Sequence, residues 1–140
     1  MDAVGPPPLD IPPELGLDAP ATARRFLIRG DHANLWFEGG GPDLDGALVV
    51  SFDNLATIDE GWPRGPWALK RLEPMGHAVL GVQSHAKDWF RQPTAPTLLR
   101  GLEERGFFRR FRRVVLTGAS MGGFAALNFA PLIPEARVLA

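Results

Sequence analysis

Three stretches of this chain are almost uninterrupted apolar runs: "ALVVSF" at 47–52, "AVLGVQ" at 78–83 and "VVL" at 114–116. A run with no polar alternation needs cover on both faces. That is the habit of parallel strands sandwiched between helices. The segments between them have helical features. Pro66 is placed to open a helix over 66–76, with Trp67, Leu72 and Met75 on its apolar side and Pro74 and Gly76 closing it. "APTLLRGLEERGFF" predicts a second helix, with Thr97 as candidate N-cap, Leu98, Leu99 and Leu102 inward, and Gly101 weakening it. "MGGFAALNFA" predicts a third, stopped by Pro131. Upstream, "RRFLIRG" and "ANLWFEG" read as two short strands joined around Gly30, Asp31 and His32. The stretch 55–65 reads as a loop, and "ARVLA" at 136–140 as the opening of another strand. This alternation implies an α/β fold with a mostly parallel sheet and flanking helices.

Hydrophobic residues make up 45% of the 140 and charged residues 22%, the balance of a globular domain. A net charge of −1 offers no general attraction to nucleic acid or acidic membranes. The basic run "RRFRR" at 109–113 reads as a solvated helix terminus. No cysteine is present, so disulfides and thiolate chemistry are excluded within this sequence. Residues 1–20 hold six prolines and lack the basic and apolar regions of a secretory signal. Residues 1–23 are expected to be a Pro-rich disordered arm, and 24–140 the folded domain. No apolar stretch reaches the ~20 residues of a membrane span. A cytoplasmic location fits these features. No His, Asp and Glu cluster has metal-ligand spacing, and neither a metal nor a cofactor is expected.

The residues Gly118-Ala119-Ser120-Met121-Gly122 fit the pattern G-x-S-x-G between an apolar strand and an apolar helix. In a nucleophile elbow the serine sits on a sharp, strained turn between such elements. The chain approaches itself so closely there that side chains two positions either side would collide, and glycine at 118 and 122 removes them. Gly123 and Ala125 let the helix lie near the sheet. Ser120 would stand at the positive end of that helix, and the Met121 N–H is a candidate oxyanion donor. The same letters approach the T-G-x-x-x-G-x-G phosphate turn of dehydrogenases. Three features oppose that reading: Phe124 occupies the last glycine position, buried strands precede the turn, and no acidic residue follows about twenty positions on.

The alternation and "TGASMGGFAAL" together resemble the α/β-hydrolase superfamily, specifically its bacterial serine-hydrolase-like members, over 24–140. The resemblance implies that the elbow follows a fifth strand, and counting from "FLIRG" it does. It implies Ser120 as nucleophile, Met121 N–H as one oxyanion donor, and a second donor just after the third strand, at Asn54 or Leu55. It places the acid and histidine after the serine. Here only Glu135 follows as a carboxylate, and His32, His77 and His85 all lie upstream. The sequence then reads as an N-terminal portion ending shortly after the elbow, weakly active or inactive alone, with an unpaired sheet edge open to self-association.

An alternative borrows upstream residues, with His85 as base and Asp88 as its orienting acid. Against it stands the reading in which Asp88 or Ser84 caps a turn and Trp89 packs beneath. Asp88 and Trp89 are also candidates for substrate contact. "GWPRGPW" at 61–67 reads either as a pocket rim or as a turn plugged by tryptophan. The functions weighed are three: a serine hydrolase of small ester- or acyl-type substrates, a non-catalytic binding or scaffold protein of the same fold, and, third, a nucleotide-dependent oxidoreductase.

Overall fold

The computed structural model describes Asp10, Ile11 and residues 24–39 and 46–139. Among these residues, seven strands form one sheet in the order β1-β2-β3-β5-β4-β6-β7. They are β1 (Asp10–Ile11), β2 (Arg25–Arg29), β3 (Ala33–Glu38), β4 (Ala47–Phe52), β5 (Ala78–Ser84), β6 (Arg113–Thr117) and β7 (Arg137–Leu139). β2 and β3 make the expected hairpin, closed by a bond from the Gly30 N–H to the Ala33 carbonyl at 2.9 Å. β3 joins β5 antiparallel, and β5, β4, β6 and β7 run parallel. The mostly parallel α/β sheet read from the sequence is therefore the fold. Asp10 and Ile11, inside the stretch expected to be an arm, run parallel to β2. The rest of that stretch lies outside the described residues.

Every residue of β5 is buried, and all of β4 but its first residue, as their composition requires. The connecting helices are α1 (Leu55–Ile58), α2 (Leu69–Leu72), α3 (Thr94–Glu104) and α4 (Met121–Phe129). Two depart from expectation. The helix read from Pro66 starts only at Leu69 and lasts one turn before a 3-10 turn at Glu73–Met75, and Met75 is exposed. Pro66 is instead buried, and Ala68, just ahead of α2, is left-handed at φ 67°. α3 begins four residues early, so Thr97 is an interior residue whose N–H donates to the Pro93 carbonyl, rather than the cap. Its inward face is as read, with Leu98, Leu99 and Leu102 buried. Pro131 does end α4, which relaxes into a 3-10 turn.

One aromatic cluster closes the end of the sheet where the parallel strands begin. Phe26, Phe37, Phe107 and Phe111 stack and meet edge to face, with ring centroids 5.1–6.1 Å apart. Arg110 lies over Phe37, Phe107 and Phe111 at 5.3–5.5 Å. Burial, then the charge of Arg24, lowers its pKa. This arginine of the basic run is thus held by the core's edge through cation–π contact rather than solvated. A second aromatic group, Phe52, Phe90 and Phe129, lies at the other end, under the loops that follow the strands.

Candidate active site

β6 ends at Thr117 and α4 begins at Met121, leaving three residues to reverse the chain. Ser120 carries the turn with φ 56° and ψ −123°, a left-handed conformation costly for any residue with a Cβ. Its side chain caps nothing, and the residue is exposed. Glycine is required on both sides. A Cβ on Gly118 would lie 2.3 Å from the Gly122 carbonyl carbon and 2.4 Å from its oxygen. A Cβ on Gly122 would lie 2.7 Å from the carbonyl oxygens of Phe52 and Asp53. Gly123 and Ala125 are buried, and the Met121 side chain is fully so. The Met121 amide, first in α4, has no acceptor four residues back, as for every N1 position.

That second glycine contact identifies the neighbour. β4 and β6 pair side by side, so the loop after β4 abuts the serine turn. Asn54 caps α1 with its side-chain oxygen, accepting from the Ala56 and Thr57 N–H groups at 3.0 Å each. Its own N–H donates to Thr57 Oγ1 at 2.9 Å. The capping box thus occupies both the Asn54 side-chain oxygen and its amide. Leu55, first in α1, keeps an amide with no intrahelical acceptor. Between the two donors considered, the geometry leaves Leu55 available and Asn54 committed.

The loop is braced by a buried ion pair that no local sequence pattern announces. Asp53 is 1% exposed. Its Oδ2 accepts from Arg64 Nη2 at 2.5 Å and from the Ser84 amide at 2.8 Å, and Oδ1 accepts from Thr57 Oγ1 at 3.1 Å. Arg64 Nη2 also donates to the Ser84 carbonyl at 2.9 Å. One carboxylate and one guanidinium thereby tie the ends of β4 and β5 to the 61–67 segment. That segment is a rim as well as a turn: Arg64, Pro66 and Trp67 line a cavity of about 590 Å³ with Thr57 and Lys70. Ser120 does not line it. Trp62 is 39% exposed and meets Trp36 edge-on rather than plugging the core.

The loop after β5 divides the remaining candidates. His85 Nε2 pairs with Asn34 Oδ1 at 2.9 Å, on β3. β3 lies beyond β5, on the side away from β6, so His85 is not brought to Ser120. Asp88 does not orient it either. Asp88 Oδ1 accepts from the Phe90 N–H at 3.0 Å and from Ser84 Oγ at 3.1 Å, the turn-capping arrangement. Trp89 and Phe90 follow with φ of 57° and 56°. Phe90 is buried against Phe52 and Phe129, while Trp89 meets Phe124 of α4 edge-on at 5.6 Å. Trp89 does therefore reach the elbow helix. Phe124 is a neighbour that the sequence reading misses; its place four residues after the serine is the available signal. His77 stands before β5, at the opposite end of the sheet. Among the described residues, no side chain hydrogen-bonds to the Ser120 hydroxyl, and no group of three His, Cys, Asp or Glu could hold a metal ion. No helix among them is long and apolar enough to cross a membrane.

No family model and no curated protein matches the chain. Among solved structures, it is similar to a candidate epoxide hydrolase from Pseudomonas aeruginosa, at 19% identity and a TM-score of 0.42, and to a point mutant described under the same activity, at 18% and 0.42. A proline iminopeptidase-related protein from Thermus thermophilus matches at 21% identity and a TM-score of 0.37. Each match covers 81% of this chain but only 38%, 38% and 42% of the respective structure. The chain spans about two fifths of the length of the structures it matches.

Proposed function

We propose that this chain presents the nucleophile and oxyanion donors of a serine hydrolase acting on small ester- or acyl-type substrates. The observation that carries the reading is the backbone of Ser120: a non-glycine residue at φ 56° and ψ −123°, exposed, between a strand and a helix, with glycines that admit no Cβ on either side. Strain of this kind costs about 1–3 kcal/mol and persists only where the surroundings enforce it. In the proposed reaction Ser120 Oγ attacks the carbonyl carbon and its proton passes to a general base. The oxygen that gains charge accepts from the Met121 and Leu55 amides. The alcohol or amine leaves, and water releases the acyl group. Each such donor is worth on the order of a hundredfold to a thousandfold in rate. Among the described residues, none hydrogen-bonds to that hydroxyl to serve as the base.

The test is covalent labelling with a fluorophosphonate, followed by peptide mapping. The other two serines, Ser51 and Ser84, are buried at 0% and 1% exposure. Labelling at Ser120 alone, abolished in Ser120→Ala, is expected. An intact, folded protein that takes up no label at Ser120 would instead favour the scaffold reading.

A further inference from the structure

We infer that Trp89 and Phe124 form an aromatic wall beside Ser120 that selects substrates carrying an uncharged aryl group. The inference rests on the nucleophile reading of Ser120 and names the substrate class for that site. Phe124 follows the serine by one helical turn, and its N–H donates to the Ser120 carbonyl at 3.1 Å. Side chains on a helix lean toward its N-terminus, the end at which Ser120 stands. Trp89 comes from a different strand end and meets that ring edge-on, at an interplanar angle of 85°.

Both rings remain open, at 38% and 42% exposure. The loop that holds the indole there is unfavourable in itself, with two successive non-glycine residues in the left-handed region. Burial of Phe90 offsets its own strain. Trp89 has no such return, since its ring is only partly covered. What fixes it is the Asp88 carboxylate, held by the Phe90 amide and the Ser84 hydroxyl. A large aromatic side chain kept half-bare at a strained position, against a second bare ring, suits a third ring as the missing partner. The charges that flank the indole on its N-terminal side are already engaged: Asp88 accepts inside its turn, and Lys87 is paired with Asp59 at 2.8 Å.

Two phosphonofluoridates that differ only in a benzyl or a methyl group on phosphorus test this. In each, a Ser120 Oγ–P bond forms, the P–F bond breaks, fluoride leaves and the hydroxyl proton goes to solvent. Intact-mass kinetics should show the benzyl reagent labelling Ser120 about tenfold faster, the scale of one aromatic contact. Trp89→Ala and Phe124→Ala should each cut that preference to about threefold or less by slowing the benzyl reagent more than the methyl one, and Trp89→Phe should retain most of it. A merely structural role would slow both reagents alike and overturns the inference. So does equal labelling by the two reagents in the parent, or a preference that survives both alanine variants. Labelling by neither reagent overturns the nucleophile reading itself, and this inference with it.

Discussion

Replacing Gly118 by alanine places a methyl carbon 2.3 and 2.4 Å from two backbone atoms of Gly122 and 2.8 Å from the Gly123 nitrogen. Carbon contacts are comfortable at about 3.5–4.0 Å, so two of these intrude by more than an ångström. Overpacking in a filled core costs about 1–3 kcal/mol when side chains can rotate away. Here the obstacles are backbone on the far side of a three-residue turn, and only displacement of α4 from the sheet relieves them. The upper end, about 3 kcal/mol, is the expected loss. Urea denaturation followed by far-UV circular dichroism reads it directly. With a slope of about 2 kcal/mol per molar urea, the midpoint falls by about 1.5 M. Gly46→Ala supplies the control, because a Cβ there meets nothing within 4 Å. Its midpoint should stay level or rise slightly, since alanine restricts the unfolded chain. A Gly118→Ala midpoint within about 0.3 M of the parent would refute the tight turn and the strained serine with it.

Two further outcomes follow from the same physics. Ser120→Gly should raise stability by about 1 kcal/mol in the same assay, because glycine adopts a positive φ without the penalty of a Cβ. A fall in stability would mean the turn is not strained. Arg64→Met should cost about 3–5 kcal/mol by leaving Asp53 buried without its counter-charge, whereas the double variant Asp53→Asn/Arg64→Met should recover most of that loss. Equal loss in the single and double variants would show that the pair is not the brace.

The strands are legible because two-sided burial leaves so little freedom in composition. "ALVVSF" and "AVLGVQ" fit few environments other than the middle of a covered sheet, and they lie there. The serine turn is legible because only glycine fits where backbones nearly touch. Short helices are less so. α1 reads as loop although Asn54 and Thr57 stand at the spacing of a capping box, since four residues carry no periodicity. Residue type favours Thr97 as a cap, but α3 starts at Thr94 with Pro93 in the capping place. The Asp53–Arg64 pair joins residues eleven positions apart through a fold that local pattern does not encode. His85 illustrates the same gap in reverse. Its position at the correct sheet edge is deducible, but its pairing with Asn34 depends on β3 lying beside β5.

The phenylalanine and Arg110 cluster sits where the parallel strands start, and Ser120 sits where they finish. Strands of five to seven residues hold those ends roughly 17–23 Å apart, at about 3.3 Å per residue. The ballast that keeps the sheet assembled is therefore remote from the loops that would meet a substrate. Exposed loop positions such as Trp89 can be exchanged without loosening the phenylalanine ballast, so the molecule has room to drift in what it recognises while its scaffold stays constant.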